Sequence, residues 1–427
     1  MFRRTLIVSA VVLCCAVCFG LLSLGVLASP SGSPVQQVAP SAPPLDPGPD
    51  QEAAPSDDCT FGEQASGAKY MICMPDGAWN GDLLVYAHGY MAIDREIEIP
   101  PDQMVIPGPT GPISVSDLVT SMGYGFATTS YYTNGLAVLP AIADLVDLVD
   151  VFATVETTPT NVLLTGVSEG GLITTLGIER HPDIFDGGLA MCGPYGGFHE
   201  QVNHFGDFRI VFDYFFPGLM PGTPVTIPTS LMDEWSTSYF SSTILPVITH
   251  PANALSVTQL LSVTGASPYE FDPPTSTVTI EKLLWYNVFA TEDAKRKLGG
   301  QPFDNTTRNY EGSFDDVALN SGVARIAADA AAVSEIEAFY QTTGYLDRPL
   351  VTLHTTGDYV VPYWHVPLYE EKVTQAGSGA LYQHFRSDVH GHCTFNALEV
   401  LLAFQALEEM IPHRIYLPLM LQSTSAH

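Results

Sequence analysis

Apolar and polar positions follow two rhythms along this chain. Short runs rich in Val, Leu and Ile read as strands at Lys69 to Met74, Asp82 to Ala87, Tyr124 to Ser130, Asn161 to Thr165, Gly187 to Cys192, Pro349 to His354 and Ala380 to Phe385. Helical patterns lie at Leu139 to Phe152, Leu172 to Arg180 and Thr394 to Met410. Strands separated by helices imply an α/β fold, with a mostly parallel central sheet covered by helices on both faces.

The rhythm breaks between about residues 194 and 320. That stretch is too long for one crossover, so it predicts a largely helical cap inserted before the strand at Pro349 to His354. The insert is dense in rings, among them Phe205, Phe208, Phe212, Trp235, Phe240, Trp285, Tyr286 and Phe289. Within it, Glu281 to Leu298 reads as a helix, with Lys295, Arg296 and Lys297 in its last turn and Gly299 as its stop. Such rings either cover an apolar cleft or form the insert's own small core.

The N-terminus has an export pattern. Arg3 and Arg4 precede an apolar run from Leu6 to Leu27, and Val26-Leu27-Ala28 offers a cleavage site. Residues 1–28 are therefore expected to be a signal peptide or, left uncut, an N-terminal anchor tethered to the membrane through residues 6–27. Residues 29–58 form a Pro- and Ser-rich linker without core-forming residues. Residues 59–427 would form the folded domain, secreted or held at the cell surface.

Cysteine usage fits export. Cys14, Cys15 and Cys18 fall within the apolar run, leaving Cys59, Cys73, Cys192 and Cys393. An even number in an exported chain suggests two disulfides, Cys59–Cys73 and Cys192–Cys393. Four buried thiols are the alternative.

The net charge of −30, from 46 acidic and 16 basic residues, excludes a nucleic-acid partner, since a polyanion would be repelled. Asp144, Asp147 and Asp150 recur every three residues and read as a solvated helix face rather than a cation site. No His or Cys spacing suggests zinc, and neither a metal nor a cofactor is expected.

The chemistry is carried by Gly166-Val167-Ser168-Glu169-Gly170-Gly171, which sits where a strand turns into a helix. A side chain at Gly166 or Gly170 would crowd such a turn. The turn sets the Ser168 hydroxyl at a helix N-terminus, held out for attack on a carbonyl. A serine nucleophile needs a base, and a carboxylate to hold that base in the right tautomer. Asp358 and His392 follow later strands, in the order such a fold requires. Asp388 competes for the acid role and His390 for the base. An oxyanion hole would draw on the Glu169 N–H and on the Tyr90 or Gly89 N–H of Tyr86-Ala87-His88-Gly89-Tyr90. His88 reads as structural. The Glu169 side chain either orients groups around the turn or faces solvent.

The stretches His88-Gly89, Gly166 to Gly170, Gly357-Asp358 and Gly391-His392 resemble, in order and spacing, the α/β-hydrolase superfamily. The likeness covers about Cys59 to Pro412 apart from the insert. It looks most similar to exported bacterial esterase, lipase and prolyl-oligopeptidase-type members. The resemblance implies an eight-stranded sheet and a metal-independent acyl-enzyme mechanism. The expected function is an exported serine hydrolase cleaving small-molecule or oligomeric carboxylic esters with apolar or aromatic groups. A serine peptidase of prolyl-oligopeptidase type and a catalytically silent binding domain are the alternatives.

Overall fold

The computed structural model describes residues 59–108, 111–266 and 273–411. The expected signal or anchor at 1–28 and the linker at 29–58 lie outside these residues. Among the described residues no helix is long and apolar enough to cross a membrane.

The strands in chain order are β1 (Cys59–Glu63), β2 (Lys69–Cys73), β3 (Leu83–Ala87), β4 (Val105–Gly108), β5 (Gly111–Ser114), β6 (Gly125–Thr129), β7 (Val162–Val167), β8 (Gly187–Met191), β9 (Leu350–Gly357) and β10 (Tyr382–His390). Eight of them form one sheet in the order β1-β2-β6-β3-β7-β8-β9-β10. Pairing is parallel from β6 through β10, while β1 and β2 add antiparallel at one edge. This is the expected eight-stranded, mostly parallel sheet. β4 and β5 pair separately as a small hairpin.

The central strands are apolar without a break because both sheet faces are covered. Along β3, Leu83, Val85 and Ala87 join one buried cluster while Leu84 and Tyr86 join another. The first cluster takes in the helices Val138–Val155, Glu169–Arg180 and His365–Ala376; the second takes in Ala397–Met410. The last of these starts with a capping box, in which Asn396 accepts the Glu399 N–H and Glu399 accepts the Asn396 N–H.

Between β8 and β9 the chain forms helices, including Phe198–Phe215, Ala254–Thr264 and Pro273–Lys297. These helices bury a cluster of their own around Phe208, Phe212, Trp235, Phe240 and Phe289. Most of the insert's rings are thus its core, and Phe205 and Tyr286 are among those that reach the cleft below.

One expectation is corrected on the helix Val138–Val155. Asp147 and Asp150 are exposed, but Asp144 is buried and accepts the Tyr132 N–H at 2.9 Å. The three-residue spacing misreads it because its carboxylate serves as a fixed acceptor for a neighbouring loop.

Candidate active site

β7 ends at Val167 and the next helix starts at Glu169, so Ser168 alone makes the turn, with φ 57° and ψ −122°. A non-glycine residue there is strained. The flanking glycines permit close approach. A Cβ on Gly166 would lie 2.3 Å from the Gly170 carbonyl oxygen, and one on Gly170 would lie 2.0 Å from that of Ala87.

Three side chains distant in sequence meet at this turn. His392 Nε2 is 2.8 Å from Ser168 Oγ, and His392 Nδ1 is 2.7 Å from Asp358 Oδ2. Since Nδ1–H donates to the carboxylate, Nε2 is left to accept from the hydroxyl. Asp358 is buried, and its Oδ1 accepts the N–H groups of Val360 and Val361, both at 2.9 Å. That clamp fixes the carboxylate's orientation. Beneath it, His354 Nε2–H donates to the Val361 carbonyl at 2.8 Å, and burial lowers the His354 pKa. The competing residues lie elsewhere. Asp388 is exposed and pairs with Arg386 at 2.6 Å. His390 closes β10, its ring 5.4 Å from that of Tyr359.

Both expected disulfides are present, Cys59–Cys73 between β1 and β2 and Cys192–Cys393 beside His392. Among the described residues, Cys192, His392 and Cys393 make the one grouping with metal-ligand character, and both sulfurs are already bonded to each other.

The loop after β3 needs one correction. The Gly89 N–H donates to Gln103 Oε1 at 2.6 Å, so it is not the oxyanion donor expected of it. Of the two donors expected on this loop, the Tyr90 N–H is the candidate left. Gly89 is still required by space, because a Cβ there would sit 3.0 Å from that of Ser168. His88 is structural, as expected. Its buried ring stacks on Tyr131, Nδ1–H donates to the Gly89 carbonyl at 2.8 Å, and burial pulls its pKa down to about 4.

The Glu169 side chain does not face solvent. Oε1 accepts the Ala137 N–H at 3.0 Å, and Oε2 is buried without a hydrogen-bond partner. Burial pushes its pKa up to about 8, against the opposing pull of the Ala137 hydrogen bond and the Lys297 charge.

Two pockets meet at Ser168. The inner one, about 90 Å³, is walled by Leu136, Phe198, Val202, Phe205 and Ala290, with Glu169 at its edge. The outer one, about 240 Å³, is walled by Gln103, Ile106, Pro107, His392 and Phe395. Tyr90 and Tyr286 line both. Tyr286 comes from the cap, stacks on Phe205 with ring centres 4.8 Å apart, and its hydroxyl faces Ser168.

Sequence reasoning missed Gln103, His354 and the individual place of Tyr286. His354 lies within an apolar strand and Tyr286 among many similar rings, so neither stands out. Gln103 carried no signal.

No protein-family profile matches the chain. No curated protein matches it by sequence. Solved structures that superpose on it include Pyrococcus horikoshii acylaminoacyl peptidase, with a TM-score of 0.37 and 11% identity over 78% of this chain and 37% of that one. A Pyrococcus furiosus esterase superposes with a TM-score of 0.41 and 12% identity over 83% of this chain and 90% of that one. Feruloyl esterase B from Aspergillus oryzae does so with a TM-score of 0.44 and 13% identity over 82% of this chain and 80% of that one. The chain spans about two fifths of the length of the acylaminoacyl peptidases it resembles.

Proposed function

We propose that this protein is an exported serine hydrolase acting on carboxylic esters through an acyl-Ser168 intermediate. The observation that carries this reading is the His392 ring, bridging Ser168 Oγ at 2.8 Å and Asp358 Oδ2 at 2.7 Å. As Ser168 Oγ attacks the ester carbonyl, its proton passes to His392 Nε2. Asp358 holds the ring and stabilises its charged form. The N–H groups of Glu169 and Tyr90 take the negative charge that develops on the carbonyl oxygen. The C–O bond to the alcohol breaks, and His392 gives its proton to the leaving oxygen. Water then attacks the acyl group, gives a proton to His392, and releases the acid as Ser168 regains its hydrogen.

The apolar walls on both sides of Ser168 support an apolar substrate. Two disulfides support a location outside the reducing cytosol.

A fluorophosphonate probe on the folded protein, read by peptide mass spectrometry, tests the reading together with steady-state ester hydrolysis. Ser168 is the expected site of label, and Ser168→Ala should cost roughly a million-fold in kcat. Absence of label on Ser168 would point to a silent binding domain. Faster turnover of an amide than of its paired ester would point to a peptidase.

A further inference from the structure

We infer that the cleft sorts its substrate by side, with a short aliphatic acyl group in the inner pocket and a bulky, ring-bearing alcohol in the outer one. This rests on the ester-hydrolase reading and adds which half of the ester goes where.

The assignment follows from where His392 stands. The imidazole that takes the serine proton must return it to the leaving oxygen, so the alcohol departs on the His392 side. His392 lines the outer pocket and not the inner one. The oxyanion is taken by the proposed Tyr90 and Glu169 N–H donors. The remaining substituent of the tetrahedral carbon is the acyl chain, and the inner pocket is the space left to it.

Size then sets the class. An apolar cavity of roughly 150 Å³ takes up a benzene ring. The inner pocket, at about 90 Å³, is smaller. A short aliphatic chain therefore fits it better than a ring does. A butyryl group is a chain of that kind. The pocket's walls are Leu136, Phe198, Val202 and Phe205, and Phe205 stacks on Tyr286, which also lines it. The outer pocket, at about 240 Å³, accepts a ring between Ile106, Pro107 and Phe395.

The test uses the purified full chain and 4-nitrophenyl esters of acetic, butyric, decanoic and benzoic acid, so the alcohol is constant. The kcat/KM should peak at butyrate, with benzoate and decanoate lower by about tenfold or more, the discrimination a methylene-scale misfit gives. Ala290 walls the inner pocket and not the outer one. In Ala290→Leu the butyrate-to-acetate ratio of kcat/KM should fall by about tenfold. Benzoate or decanoate turned over as fast as butyrate overturns the inference and leaves the ester reading standing. So does an unchanged ratio in a folded Ala290→Leu protein. Silence toward every ester overturns both.

Discussion

Cys393 is bonded to Cys192, and its sulfur lies 3.5 Å from His392 Nε2. The bond joins residues 201 apart, the residue just after β8 and the one after His392. Neither half-cystine has an ordinary backbone, with φ 44° at Cys192 and 55° at Cys393. The His392 loop is therefore held by a covalent tether to the strand beside the Ser168 turn. Replacing both cysteines by Ala should lower kcat at least about tenfold while KM moves much less, because a misplacement near 1 Å costs that much or more. Assays run well below the variant's Tm separate this from lost stability. Removing Cys59 and Cys73, which face each other across β1 and β2, should lower Tm and leave kcat within about twofold. Equal effects on kcat from both pairs would contradict the tether.

Gln103 holds the loop after β3, which carries the proposed Tyr90 donor. Its Oε1 takes the Gly89 N–H, and the Tyr86 hydroxyl donates to its backbone carbonyl at 2.8 Å. Without that acceptor the loop can turn the Gly89 N–H toward the cleft and displace the Tyr90 N–H. Gln103→Ala should lower kcat by about ten- to a hundredfold, below the full cost of a deleted oxyanion donor. Gln103→Glu keeps the acceptor and should retain most of the rate. Similar kcat values for the two variants would count against this role.

Much of this site was legible because its signals are local. The Ser168 turn has glycines where backbone must approach backbone. Asp358 and His392 follow strands whose apolar runs stand out. The cap announced itself by interrupting the alternation. Other features have no local signature. Gln103 acts across a loop, 14 residues beyond Gly89. The hairpin of β4 and β5 is Pro- and Gly-rich and shows no strand-like alternation. The helix His365–Ala376 carries Glu370, Glu371 and Lys372 in a short run, which hides the buried stripe of Val366, Tyr369 and Val373. Burial of Asp144 and Glu169 depends on which loop lies over them, and that is decided by tertiary structure.

The turn at Ser168 stores backbone strain that a glycine would release. Its φ of 57° and ψ of −122° fall where side chains other than hydrogen are disfavoured. Ser168→Gly and Ser168→Ala both remove the proposed nucleophile. They should differ in stability, with the Gly variant melting higher by a few degrees, which corresponds to about 1 kcal/mol in a domain of this size. Thermal unfolding by circular dichroism checks it. A lower Tm for the Gly variant would mean the turn is unstrained.

Glu169 makes the fold sensitive to pH. Its carboxyl titrates near 4.5 in an unfolded chain and at about 8 when folded, so the folded state holds the proton more tightly. Lys297, Asp293 and the ring hydroxyls of Tyr90, Tyr131, Tyr286 and Tyr340 are the other titratable groups that feel its charge. Below pH 4.5 both states are protonated and the difference vanishes. As pH rises toward about 8 the unfolded state ionises while the folded state does not, and stability falls. Above about 8 both ionise and the loss is complete. Glu169→Gln keeps an acceptor for the Ala137 N–H and removes the titration. The Tm of the variant minus that of the parent should therefore climb through this window and level off above it. A gap that stays flat with pH would show that the Glu169 carboxyl is ionised in the folded protein at neutral pH, with Lys297 compensating its charge.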